Sequence, residues 1–543
     1  MIRALRGGWV VALMVFLAAG CGRTQPLPTL LPATPTKPPV VESSPTLQPL
    51  AEPALAEVPA TLPASPTPMP SATLSQPPAP IATATATGTP TPQLPPVTLA
   101  LPPVRVSTGT WGVQAYPFGE HLQRVASEEV PGFSFLQLDW EAYRAGEPKP
   151  VPVEFPSLTL ENRWLRITVV PALGGRVVEM TLKSTGHNEL YQNPVLKPTM
   201  WGPPEQGWWL AAGGMEWCLP VPEHGYLWAE PWEGRTEERL GEASVVVRSP
   251  EGLPLVVQIV VRLSADEAAL HLEFRIRNQT QWEVPFSYWT NAMLAPGGGL
   301  RPSPELRFVL PQDQVVVHST GDPRLPQAGQ VTSWAQWGQV RLDRLGDWEG
   351  WLGFFAYPQA REGFAGVYDP EADEGVVRVF PPETARGLKG FAFGYGSRSP
   401  SADEWTDDGS AYVELHGGLA PTFDDQVSLR PGEEVAWEEV WYPVAGLGAL
   451  VHAAGQVALG LRPAEGGDQL VLWSTREWQG TLLLLPGGGR VGVRQEVSLT
   501  PEAALRLPLD ENVLGPEGPV EIRLMDGAGE VVYAYTLEQD MPD

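Results

Sequence analysis

The run LTLENRWLRITVVPALGGRVVEM, residues 158–180, decides the fold class. Leu158 and Leu160, then Leu165, Ile167 and Val169, recur at every second position, which puts them on one face of extended chain. Gly174 and Gly175 follow, and glycine alone adopts positive φ without a steric penalty, so the pair supplies a tight turn that lets the next strand return. Arg176 sits just after that turn, where it either pairs with a carboxylate at a sheet end or meets a ligand hydroxyl.

The same period of two continues in SVVVRS (244–249), PLVVQIVVRLS (254–264) and ALHLEFRIRNQT (269–280), and no long stretch carries a 3.6-residue repeat. Turn residues such as Pro250-Glu251-Gly252 and Asp526-Gly527 punctuate the chain at hairpin spacing. The expectation is an all-β protein built of two layers of antiparallel sheet with long, aromatic-rich loops. The main domain is expected over residues 104–445. A Gly-rich break then leads to VALGLRP, QLVLWST, GTLLLLPG, VEIRLMD and EVVYAYTL, which predict a small immunoglobulin-like β-sandwich over residues 446–543.

The ends and the composition bound the setting. Residues 1–21 carry Arg3 and Arg6, an apolar stretch from Trp9 to Ala19, and small residues before Cys21. That is an export signal, and Leu17-Ala18-Ala19-Gly20-Cys21 resembles the lipobox of bacterial lipoproteins, in which the cysteine is acylated. Residues 22–103 are Pro-, Thr- and Ala-rich with few charges and cannot bury a core, so they read as a semi-rigid polyproline-II stalk. An extracytoplasmic, lipid-anchored protein is expected. Cys21 and Cys218 are the only cysteines, so lipidation of the first leaves no internal disulfide. A net charge of -27 repels nucleic acid and anionic membrane surfaces. No phosphate-binding loop, dinucleotide fingerprint or zinc spacing occurs, so no cofactor or metal is expected; calcium at Asp407-Asp408 or Asp424-Asp425 lacks further support.

Residues 158–180, YQNPVLKP (191–198), GGMEWCLPVPEHG (213–225), SYWTNAML (287–294) and YVELHGGLAPTFDDQVSLRPGE (412–433) together resemble the galactose mutarotase-like superfamily, in particular its uncharacterised branch often fused to tetratricopeptide repeats. The resemblance implies a β-supersandwich whose concave face holds a sugar. It implies that Glu414 takes the proton of an anomeric hydroxyl and that His224 is one of the family's histidines. A second histidine usually follows the Thr-Asn pair, and Ala292 stands there instead. His416, on the same strand face as Glu414, and Glu216, behind Gly213-Gly214, are the residues that could replace it, and a second carboxylate would also suit glycoside hydrolysis.

Twenty-one tryptophans are far more than an ordinary chain carries, and Trp201, Trp208, Trp209, Trp217, Trp228 and Trp232 crowd one Gly/Pro-rich segment. Indole faces suit the C–H faces of pyranose rings, though large aromatics also staple loops to sheets. Two or three of the six are expected on a ligand, with Trp217 and Trp228 foremost. Trp289 and Asn291 share a strand face and are expected to floor the site. Cys218 reads as a small buried hydrophobe. Function therefore reads as carbohydrate binding with acid/base processing of the sugar, against a non-catalytic lectin or scaffold that has lost the acid; oligomeric state is not legible. Replacing the acylation site, Cys21→Ser, is expected to release the protein from membranes, and a variant that still fractionates with them in high salt would rule the anchor out.

Overall fold

The computed structural model describes residues 103–465, 467–487, 491–509 and 518–538. The expected leader with Cys21, and the stalk up to residue 102, lie outside the described residues.

The alternating segments form two large sheets. The strands that matter here are β1 (Arg176–Leu182), β2 (Met215–Cys218), β3 (Trp289–Leu294), β4 (Gln314–Thr320), β5 (Leu352–Tyr357), β6 (Gly387–Ala392) and β7 (Val413–Gly418). They lie side by side in the order β4-β5-β6-β7-β3-β2-β1 within a 14-stranded sheet. An 8-stranded sheet, with Glu374–Val379 beside Glu434–Ala445, packs against it. The longest described helix is Trp140–Ala145, N-capped by Asp139.

Strand parity sorts the side chains. Met215 and Trp217 of β2, Ala292 of β3 and Val413 and Leu415 of β7 face the second sheet and join Phe274, Val377, Trp437 and Trp441 in one core. Their neighbours, at the alternate positions, face the other way. In the middle of this core lies an ion pair. Arg378 donates to Glu439 from Nε at 2.8 Å and from Nη2 at 2.6 Å, and the indoles of Trp437 and Trp441 each donate to the same carboxylate at 3.1 Å. Gly417 makes room for it, because a Cβ there would sit 2.1 Å from Arg378 Nη2.

The described strands between Leu450 and Leu537 form two further 4-stranded sheets around Leu459, Leu472, Leu484, Ile522 and Leu524. They pack closely onto the large sandwich. Trp473 stacks on Tyr442 at 5.8 Å and belongs to the main core, while Thr475 and Arg476 hydrogen-bond Glu267.

Glu439→Gln is expected to cost about 3–5 kcal/mol in urea unfolding, because it leaves the Arg378 cation buried without its counter-charge. Arg378→Met in the same chain should recover part of that loss. Equal stability of Glu439→Gln and the parent would mean that the pair contributes nothing.

Candidate functional site

The face of the large sheet turned away from the core carries one polar row. Glu216 on β2 pairs in register with Asn291 on β3, Asn291 with His416 on β7, and His416 with Lys389 on β6. Side chains directly opposite one another on adjacent strands are near neighbours, so four residues distant in sequence become contiguous. Glu414, two positions before His416, shares their face.

Glu216 anchors the row. It is almost wholly buried and accepts from Arg176 Nη2 at 2.6 Å, from Trp209 Nε1 at 3.1 Å and from Asn291 Nδ2 at 3.3 Å, and its Oε1 lies 2.7 Å from His224 Nδ1. Burial pushes its carboxyl up, but Arg176 and then His224 outweigh that and hold it at about 2. Arg176, just after the Gly174-Gly175 turn, is buried and also donates to Gly213 O at 2.6 Å; it meets a carboxylate and does not line the pocket above the row. Gly213 and Gly214 approach the backbone of Tyr191 and Val177, where added Cβ atoms would lie 2.2 and 2.3 Å from carbonyl oxygens, so they serve close strand packing and not the approach of a ligand. With every lone pair of Glu216 taken, its role is to hold His224, not to exchange protons with substrate.

His224 arrives on the loop after β2. Gly225, at φ 64, lets that loop fold back over the strand, since a Cβ there would lie 2.1 Å from Leu219 N. The imidazole stacks on Trp209 at 4.1 Å. Its Nδ1–H is donated to Glu216, which leaves Nε2 for the pocket.

At the other end, Asn291 Nδ2 also reaches Glu414 Oε1 at 3.4 Å, His416 Nε2 lies 2.9 Å from Glu414 Oε2, and Lys389 Nζ lies 3.2 Å from the same imidazole nitrogen. His224, Glu216, Asn291, Glu414, His416 and Lys389 are thus one unbroken hydrogen-bonded chain. Burial raises the Glu414 carboxyl, yet the hydrogen bond from His416 leads the opposing effects that bring it to about 2. Burial lowers His416 to about 4. Burial likewise lowers Lys389.

Above the chain opens a pocket of about 270 Å³, near the small end of small-molecule sites (roughly 300–1,000 Å³). His224, Glu414, His416 and Lys389 line it together with Trp201, Trp209, Trp351 and Phe393. Tyr412 lines it as well, and Glu223 and His318 form a further pair across it, 3.1 Å apart. Lys389, Glu223 and His318 are additions to the sequence reading. The signal for Lys389 was a lysine inside the apolar strand GLKGFAFG; for Glu223 it was adjacency to His224.

Three tryptophans are elsewhere than expected. Trp217, one residue from Glu216 and so of opposite parity, points into the core and donates to Gly175 O. Trp228 is buried against Trp208 and donates to Gly225 O. Trp289 is fully buried beside Cys218, Phe355 and Phe423, its ring lying over Gly387 and Gly418. It packs beside the polar row and does not line the pocket. Asn291 is a buried bridge beneath the pocket. Cys218 is buried and its thiol is pushed up by that burial, which makes it inert. Asp407 is engaged by Lys197 and Tyr116, and Asp425 by Thr422; among the described residues no cluster of three metal-ligating side chains is assembled.

Residues 138–444 match the family described as Domain of unknown function (DUF5107). Among solved structures, a TPR-domain containing protein from Parabacteroides distasonis is 21% identical with a TM-score of 0.53, covering 67% of this chain and 59% of that one, so the chain spans about three fifths of that protein's length. The Slr1438 protein from Synechocystis is 16% identical over 53% of this chain and 96% of its own, with a TM-score of 0.40. A galactose mutarotase-like protein from Clostridium acetobutylicum is 13% identical over 54% and 96%, with a TM-score of 0.39. The fold is all-β, two large packed sheets followed by two small ones.

The site's charges make stability pH-dependent. Glu216 and Glu414 ionise near 4.5 when unfolded and at about 2 when folded, so the stability they contribute is present above 4.5 and lost as pH falls toward 2. His416, neutral in the fold down to about 4, takes a proton near 6.5 once unfolded, which adds a loss that starts below 6.5. The melting temperature is expected to fall steadily on acidification through this window. Glu414→Gln should flatten the low-pH part, and an unchanged profile would show that Glu414 is not held ionised.

Proposed function

The chain belongs to the DUF5107 family, and from that footing we propose that its pocket binds one ring of a mono- or oligosaccharide and acts on the anomeric centre by acid/base chemistry. The observation that carries this is the hydrogen-bonded chain from His224 to Lys389 opening on one aromatic-walled pocket. Trp201, Trp209 and Phe393 give the pocket an aromatic wall for the C–H side of a pyranose. Glu414, rising from the sheet, is the base for the anomeric hydroxyl. His224 reaches the pocket from a loop on the far side of β3 and presents Nε2 as the acid for the ring oxygen, so that the ring opens and recloses on either face. The proposed setting is outside the cell, on the stalk and lipid anchor.

One observation favours a non-catalytic sugar-binding reading: a carboxylate held at about 2 by His416 is a weak base. The two readings part in a single experiment. Sugars from a panel are titrated while tryptophan fluorescence is followed, and anomer exchange of those that bind is measured by magnetisation-transfer NMR. Glu414→Gln is expected to abolish exchange while leaving affinity within about tenfold, roughly 1.4 kcal/mol. Trp201→Ala should weaken binding, whereas Trp217→Phe, altering only the core, should leave affinity unchanged. Binding without exchange by the parent protein would establish the lectin reading; neither binding nor exchange would overturn both.

A further inference from the structure

Lys389 is the one cation of the polar row without a close carboxylate. Arg176 and Arg378, equally buried, each hold a glutamate at 2.6 Å, but the nearest carboxylate oxygen to Lys389 Nζ is Glu414 Oε2 at 3.9 Å. Its single hydrogen-bond contact is His416 Nε2 at 3.2 Å. The proton on that nitrogen is located by its other neighbour. An ionised Glu414 can only accept, so at 2.9 Å the imidazole Nε2 must be the donor. An ammonium at Lys389 would then point N–H against N–H, whereas an uncharged amine turns its lone pair toward the imidazole proton.

We propose that Lys389 is a neutral amine on the pocket wall that condenses with the aldehyde carbon of an open-chain reducing sugar to form an imine. The proposal rests on the sugar reading of the pocket. A ring opened by Glu414 and His224 places its C1 aldehyde beside Glu414, and the amine stands next to that carboxylate. The nitrogen lone pair attacks C1 and the carbonyl oxygen takes up a proton, giving a carbinolamine. That oxygen then leaves as water while the nitrogen loses its second proton, with the His416–Glu414 pair as the nearby proton store. Aldehyde and amine become imine and water, and nothing is oxidised or reduced. The substrate class follows: free reducing aldoses qualify, and glycosides locked at C1 do not.

The chain carries only five lysines, Lys37, Lys149, Lys183, Lys197 and Lys389, so background is low. The full chain is incubated with cyanoborohydride and D-glucose, D-galactose or glycolaldehyde, the last presenting the C1–C2 unit of every open aldose without ring stereochemistry. Peptide mass mapping is expected to find Lys389 heavier by one aldehyde plus two hydrogens less one water. The extent at Lys389 should exceed that at solvent-exposed Lys149, since a lowered pKa leaves more free amine at neutral pH. Methyl glucoside should give no adduct, and Lys389→Met should lose the adduct while Lys149 keeps its own. Labelling of Lys389 no faster than Lys149 overturns the imine, and if panel sugars still quench tryptophan fluorescence, the sugar reading survives alone. Labelling by glycolaldehyde without binding of any panel sugar would leave the reactive amine and remove the sugar.

Discussion

Everything at the pocket hangs from the contact between Arg176 and Glu216. Both side chains are about 1% exposed, and a buried charge without a partner costs several kcal/mol. Each therefore fixes the other. Once Glu216 is pinned, its remaining lone pairs decide what surrounds it: Trp209 must bring its indole N–H, His224 must donate from Nδ1, and Asn291 must turn its amide nitrogen inward. Asn291, so oriented, passes the order on to Glu414 with the same nitrogen. The row is a consequence of charge burial propagated by hydrogen bonds, and the turn at Gly174-Gly175 matters because it delivers Arg176 to the right place.

A second constraint, strand parity, separates packing from chemistry. On β2, Glu216 and Cys218 face one way and Met215 and Trp217 the other, so a tryptophan adjacent to the central carboxylate serves only the core. On β7 the same rule sends Glu414 and His416 to the pocket and Val413 and Leu415 inward. Two of the three tryptophans that line the pocket, Trp209 and Trp201, lie on the edge strand Trp209–Gly213 and on the loop before it, and close over the row from outside the central strands.

Much of this was legible beforehand. Alternation in residues 158–180 and 244–280 specified sheets, and the two-residue spacing of Glu414 and His416 specified a shared face. The blocks around 216, 224 and 414 are brought together by the fold. What sequence withheld was register. That Lys389 lies opposite His416, and His416 opposite Asn291, depends on which strands pair and at what offset, information spread over non-local contacts. The tryptophans misled for a related reason: crowding in sequence says that indoles are near one another but not on which side of a sheet each falls.

Parity also disposes of the histidine expected at position 292. Ala292 pairs with Met215 and Leu415 and faces the core, so an imidazole there would be buried between the sheets and could not reach the pocket while this register holds. Its absence therefore takes nothing from the pocket, and an acid for the proposed chemistry would come from the histidines that line it. His318 is tied to Glu223. His416 is spent: Nε2 is committed to Glu414, and Nδ1 is buried without a partner. His224 alone is bound at Nδ1 by a permanently charged carboxylate with Nε2 left over. A donor so arranged keeps its orientation whichever way the proton moves, because the Glu216 contact is made in both protonation states. That leaves Glu414, on β7, and His224, on the loop after β2, facing the pocket from opposite sides of Asn291, whose amide lies between the Glu216 and Glu414 carboxylates.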